Sequence, residues 1–258
     1  MSQSIGLIGS GRITRIMLSG WQRAGRLTQK IVVSDPNLAT LQQLQAAFPE
    51  ITIAHNDNAQ PAACDLVFIA LHPPMVKEAL AQIASVLQPN AVVISLAPKI
   101  SITALTAMLG GFQRIVRMNP NAPALVNQGF NPVIFAPALA ATDKAELLDF
   151  FKVLGQCPEI PEEHLEAYAI LTAMGPTYLW FQLYELLALG QSFGLSAQTA
   201  ATGIAAMVHG AAATMQESGL TPAQVMDLVP VKPLSDDEAT IKNLYHTKLT
   251  ALFQKLTS

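Results

Sequence analysis

The sequence predicts an α/β fold, a parallel-sheet domain over residues 1–158 followed by an all-α domain over residues 159–258. Three observations predict it. Short apolar runs alternate with helix-length segments through the first half, the pattern of βαβ units. The first run stops at a glycine turn that opens straight into a helical pattern, in the stretch IGLIGSGRITRIM. Beyond residue 159 no strand pattern recurs, and Ala, Leu, Met, Gln and Gly fill long helical stretches.

In order, residues 5–8 read as a buried strand ending at Gly9-Ser10-Gly11, and a helix resumes through Ile13, Ile16 and Met17. A helix N-terminus aimed at such a turn carries partial positive charge and free N–H donors, so it suits a pyrophosphate. Thr14 fills the third small position of the dinucleotide fingerprint. This is a Rossmann-type opening, and it makes Ile8, Gly9, Ser10, Gly11, Arg12 and Ile13 candidate cofactor contacts. Residues 28–35 form the second predicted strand, which ends in Ser34 and Asp35. A carboxylate there can accept hydrogen bonds from the ribose hydroxyls of NAD and repels the extra phosphate of NADP. The alternative is that Asp35 and Pro36 cap the next helix, at 37–48. With no Lys or Arg close behind Asp35, Arg12 is the nearest basic candidate for a 2′-phosphate.

A third strand is expected at 51–54. Residues 65–71 are almost continuously apolar, as a central parallel strand buried on both faces must be. That strand ends at His72-Pro73-Pro74, and a helix follows at 75–87. Strand 91–96 ends at Ala97-Pro98-Lys99, and strand 113–118 at Asn119-Pro120-Asn121. Ligands of open sheets lie outside the carboxyl ends of the strands. Ser10, Asp35, His72, Lys99 and Asn121 are therefore expected to face one crevice, with Ser34, Ala70, Pro73 and Ala97 beside them as cofactor contacts. A strand at 131–136 and a helix at 142–154 complete the domain, and residues 155–161 have the turn chemistry of a boundary. Helices are then expected at 163–174, 176–193, 197–216, 222–228 and 237–256.

Of the 258 residues, 51% are hydrophobic and 13% charged, more core-forming material than one small globule needs. Mean hydropathy is +0.35, yet no apolar stretch reaches the ~20 residues of a membrane span. The start lacks the layout of a signal peptide. A net charge of −3 offers no basic surface for nucleic acid. Cys64 and Cys157 match no metal or redox spacing, so no metal site is expected and a cytoplasmic location is. No Lys or Arg occurs between Lys152 and Lys232. Helices apolar nearly all round must be buried, and this segment is too small to bury them alone. A second copy of the chain, in a homodimer or larger ring, is the expected cover.

The same residues resemble the pyrroline-5-carboxylate reductases, which reduce a cyclic imino acid to proline with NAD(P)H. IGLIGSGRIT resembles that family's IGFIGAGNMA turn, and DLVFIALHPP its strand ending in V-K-P, with His72 in place of the lysine. VRMNPNAPALVNQGF, residues 116–130, is similar to V-R-x-M-P-N-T-P-A. TAMGPTYLWF resembles the S-G-S-G-P-A-Y helix start, and FGLSAQTA the downstream G-L-P-x-x-x-A. The related β-hydroxyacid dehydrogenases would carry a lysine on the Gly175 helix, and none is there. The departures lie on the substrate side. Where the family has S-P-G-G-T-T, residues 231–236 read VKPLSD, without either glycine. Thr172-Ala173-Met174 stands for serine–glycine–serine, and Lys99 replaces the glycine after the fifth strand.

The resemblance implies a hydride donor at the sheet crevice and a carboxylate anchor where the Gly175-Pro176 helix begins, with Thr172 and Thr177 adding hydroxyls. Asp236 or Tyr178 would give the proton, unless the imine arrives protonated. The candidate catalytic set is Thr172, Thr177, Tyr178, Asp236 and Lys99. The remodelled rim points to an NAD(P)H-dependent reductase of a small imino acid other than the usual substrate. Two alternatives stand beside it: a true pyrroline-5-carboxylate reductase, and a cofactor-binding dimer without catalysis.

Overall fold

The computed structural model describes residues 4–27 and 29–257, so Thr28, the first residue of the second predicted strand, and the outermost ends of the two predicted domains lie outside it. The strands are β1 (Ile5–Ile8), β2 (Ile31–Asp35), β3 (Thr52–His55), β4 (Leu66–Ile69), β5 (Val92–Ser95), β6 (Ile115–Met118), β7 (Gly129–Phe130), β8 (Val133–Phe135) and β9 (Gly155–Gln156). Among the described residues, seven strands form one sheet in the order β3-β2-β1-β4-β5-β6-β8. The chain winds one way from β1 to β3 and the other way from β4 onward. In such sheets ligands sit in the crevice where the strand order reverses.

The inner strands β1, β4, β5 and β6 are buried on both faces, which is why they read as apolar runs. Leu66 and Phe68 of β4 face one core with Trp21 and Phe151, whereas Val67 and Ile69 face another with Val76 and Leu80. Trp21 meets Phe68 edge-on with ring centroids 5.6 Å apart. Around the sheet lie α1 (Arg12–Arg23), α2 (Leu38–Ala47), α3 (Ala59–Ala62), α4 (Pro73–Ile83), α5 (Ile102–Met108) and α6 (Ala141–Lys152). Sequence-legible caps start two of them: the Asn37 side chain accepts the Thr40 N–H, and Ser101 accepts the Ala104 N–H.

Three features depart from expectation. The last strand of the sheet, β8, runs antiparallel to β6, because a 3-10 turn (Ala122–Val126) and β7 connect them instead of a crossover helix. The boundary stretch at 155–161 contributes β9, which pairs with β7. The helix expected at 163–174 is a 3-10 turn (Glu162–His164), one turn of α7 (Leu165–Tyr168) and a π-helical segment (Ala169–Ala173). Segments of that last kind are uncommon and gather at functional sites.

The chain forms two compact units, Met1–Met174 with Phe253–Ser258, and Gly175–Leu252. The second contains α8 (Pro176–Ser192), α9 (Ala197–Glu217), α10 (Pro222–Asp227) and most of α11 (Glu238–Thr257). A capping box between Thr221 and Gln224 starts α10. The helices bury very little: Ala200 is buried, while Phe181, Tyr184 and Phe193 are 68%, 70% and 78% exposed. Among the described residues no helix is long and apolar enough to cross a membrane.

Candidate active site

The β1–α1 turn is held from three sides. Gly9 has φ +107°, and a Cβ there would stand 2.4 Å from the Ala70 carbonyl oxygen, so only glycine lets the turn pass the end of β4. Its N–H donates to the Ser34 carbonyl at 2.8 Å, and the Ala70 N–H donates to the Ile8 carbonyl at 2.8 Å. The buried Thr14 hydroxyl donates to the Gly9 carbonyl at 2.6 Å, which is how a threonine serves at the fingerprint's third position.

The N-cap of α2 is Asn37 and not Asp35 itself. Asp35 Oδ2 accepts the Ser10 N–H and its Oδ1 the Asn37 N–H, each at 2.8 Å. The carboxylate thus ties the cap residue Asn37 to the Ser10 turn. The Ser34 hydroxyl is fully buried and donates to Asn58 Oδ1 at 2.7 Å. It belongs to the frame of the site.

Two observations test whether a dinucleotide fits. Ser10 Oγ is buried without a hydrogen-bond partner, and nothing stands within 4 Å of where a Gly11 Cβ would point. An orphaned hydroxyl, an open backbone and the N-terminus of a 12-residue helix are what a phosphate would satisfy. Arg12 is exposed beside them, and Ile13 packs partly into the core. The residues fit the group.

Further along the crevice, His72 is exposed at the N-cap of α4, its carbonyl accepting the Met75 N–H at 2.9 Å, and Pro73 begins the helix. Ala97 is buried and Lys99 exposed. Lys99 has φ +69°, a left-handed conformation at the position where the resembled family has glycine. Asn121 is 6% exposed and does not present its side chain to a ligand. Its Nδ2 donates to the Thr172 carbonyl at 3.0 Å, and its Oδ1 accepts the Phe130 N–H at 3.1 Å. The Thr172 hydroxyl donates to the Tyr168 carbonyl at 2.8 Å.

In the second unit, Tyr178 meets Tyr245 edge-on at 6.0 Å, and burial raises its phenol above the ordinary value. Asp236 is exposed between α10 and α11, in turns closed by Ser235 N–H to Lys232 carbonyl and Asp237 N–H to Leu234 carbonyl, each 3.1 Å. A groove of about 530 Å³ opens there, lined by Val229, Lys232, Leu234 and Ser235 among others. The candidate catalytic residues are thus divided: Lys99 and Thr172 belong to the first unit, and Thr177, Tyr178 and Asp236 to the second.

Sequence reasoning missed Arg117. It looks like a strand residue, yet it is 2% exposed and bridges Glu162 at 2.9 Å and Glu166 at 2.7 Å. An arginine in the middle of the strand run IVRM was the available signal, since a buried charge requires a partner.

Two family descriptions match the chain. Residues 4–99 match "NADP oxidoreductase coenzyme F420-dependent", and residues 162–257 match "Pyrroline-5-carboxylate reductase dimerisation". The pyrroline-5-carboxylate reductase of Corynebacterium melassecola is 28% identical over 255 residues, covering 98% of this chain and 94% of the relative. That of Escherichia coli is 29% identical over 231 residues, 89% of this chain and 85% of the relative. Among solved structures, the Plasmodium falciparum pyrroline carboxylate reductase with NADP bound superposes with a TM-score of 0.80 at 22% identity, covering 99% and 97% of the two chains. A Coxiella burnetii pyrroline-5-carboxylate reductase does so at 0.71 and 25% identity, covering 100% and 95%.

Proposed function

We propose that this chain, which belongs to the pyrroline-5-carboxylate reductase family, reduces 1-pyrroline-5-carboxylate to proline with NAD(P)H. The observation that carries the reading is the reach of the likeness: 98% of this chain aligns with 94% of a reductase of that name. A graft of one half onto an unrelated partner would not give that.

A reduced nicotinamide supplies a hydride to the C=N carbon, and the protein's work is binding and orientation. The Ser10 hydroxyl and the open backbone at Gly11 and the start of α1 would hold the pyrophosphate. Asp35, each of whose oxygens accepts one N–H among the described residues, keeps lone pairs for ribose hydroxyls and stands against a 2′-phosphate. Arg12 would meet that phosphate in NADPH. On the substrate side, Lys99 supplies a charge for the imino acid's carboxylate, whereas the Thr172 hydroxyl would have to turn away from the Tyr168 carbonyl to donate to it. The resemblance alone gives Thr177, Tyr178 and Asp236, which belong to the second unit, a part in catalysis. Tyr178, its phenol pushed up by burial, keeps its proton at neutral pH and can offer it to the ring nitrogen. The exposed apolar helices of the second unit pair with another copy in a homodimer or larger ring, and the chain works in the cytoplasm. The family match beginning at residue 162 supports a domain boundary at 158/159, whereas packing leaves residues 159–174 with the sheet.

A second reading, an imino acid of another size or charge, is favoured by Lys99 and by the loss of both glycines from residues 231–236. Purified protein is incubated with NADH or NADPH and a panel of cyclic imino acids. Turnover of pyrroline-5-carboxylate above the rest supports the first reading, preference for another ring supports the second, and cofactor oxidation with none of them refutes both.

A further inference from the structure

We propose that Arg117, Glu162 and Glu166 are positioning residues for the substrate end of the site, cross-bracing the loop that carries Lys99 and the turn that carries Thr172 onto the end of β6. The proposal rests on the reductase reading; Arg117 lies within the V-R stretch of the resemblance, which gives it no role, and Glu162 and Glu166 lie outside every motif quoted.

The bracing is continuous. Arg117 Nη1 donates to Glu162 Oε1 at 2.9 Å and Nη2 to Glu166 Oε1 at 2.7 Å. Each of those oxygens accepts a second bond, from backbone on the far side of the crevice loop. Glu166 Oε1 takes the Lys99 N–H at 3.2 Å, and Glu162 Oε1 takes the Ile102 N–H at 2.8 Å. One guanidinium therefore holds both ends of residues 99–102 through two carboxylates. The same carboxylates belong to the segment that runs directly into Thr172, whose carbonyl is held in turn by Asn121, four residues beyond Arg117.

Stability alone explains this arrangement poorly. Arg117 is buried, and a buried ion pair can often be replaced by apolar side chains without loss of stability. Arg117 Nε adds to the desolvation cost, being buried with no partner. Lys99, moreover, sits at φ +69°, and strained residues persist where their surroundings over-determine them, most often at functional sites. The Glu166–Arg117 pair is that over-determination. It keeps an ammonium at a crevice rim where glycine would sit without strain.

The test uses the full-length chain and steady-state kinetics against pyrroline-5-carboxylate and NADH, with melting temperatures measured alongside. Glu166→Ala removes a charge-assisted acceptor and is expected to raise the imino-acid KM by about tenfold or more, leaving the NADH KM unchanged. Glu166→Gln, which still accepts the Lys99 N–H, restores part of the loss. In a Lys99→Gly background, where the loop adopts its conformation unaided, the added effect of Glu166→Ala shrinks. Glu162→Gln is the second variant should Glu166→Ala fail to fold, with a smaller shift in the same parameter. Variants that lower only the melting temperature, or that raise both KM values alike, overturn the proposal and leave the reductase reading standing. A wild-type chain idle toward every imino acid overturns that reading and this role with it.

Discussion

Replacing Lys99 by glycine should stabilise the protein, although it removes a side chain. A non-glycine residue in the left-handed region carries about 1–2 kcal/mol of steric cost, and Lys99 has φ +69°. Glycine loses more backbone freedom on folding, which offsets about 0.5–1 kcal/mol. The side chain is exposed and its ammonium makes no ion pair among the described residues, so little contact energy is forfeited. The balance is a gain of roughly 0.5–1 kcal/mol, or a rise in melting temperature of about 1–4 °C for a domain of this size. Lys99→Ala is the control, since alanine keeps the Cβ that causes the strain and should fall below glycine by about 1 kcal/mol. Urea unfolding followed by fluorescence compares the three chains. A Gly variant less stable than the Ala variant refutes the reasoning. The same Gly variant should bind the imino acid more weakly, because stability and charge at this position are in opposition.

Ser10→Ala should change stability little, because its hydroxyl has no partner to lose, yet weaken NADH binding about three- to tenfold; calorimetric titration reads both sides of that statement. Asp35→Ala should cut kcat/KM for NADH and raise the NADPH-to-NADH ratio, and an unchanged ratio would show that Asp35 only braces the turn and the Asn37 cap. The Arg114 guanidinium holds the Asp143 carboxyl below its ordinary 3.8, so its contribution is present above that pH and lost as the pH falls further. Asp143→Asn should therefore be less stable than wild type at neutral pH, the two converging in acid, as urea midpoints at both pH values would show. Cys157, its thiol pushed up to about 11 by burial, and the buried Cys64 should resist iodoacetamide at pH ~8 until the chain is unfolded; fast labelling of the native protein would contradict their burial.

What the sequence determined by itself follows from local rules. A strand buried on both faces must be a continuous apolar run, and residues 66–69 are one. A chain that passes close to a neighbouring strand needs glycine, and Gly9 is there. An open helix N-terminus after such a turn suits an anion, so the turn at Ser10 and Gly11 was legible as a candidate cradle before any fold was in view. Helices without Lys or Arg over most of their length announced a surface that needs a partner.

The tertiary structure alone decided what depends on partners distant in the chain. Asn121 reads as a crevice residue because it follows a strand end, but its amide is claimed by Phe130 and Thr172. Arg117 reads as an ordinary strand residue until Glu162 and Glu166 arrive from 45 and 49 positions away. Residues 159–174 read as the start of the helical domain and pack with the sheet, since periodicity records a helix's apolar face and is silent about which core receives it. Lys99 shows the same division. Its charge and its place after β5 were plain from the sequence, whereas its left-handed backbone and the carboxylate that holds it exist only once the chain has folded.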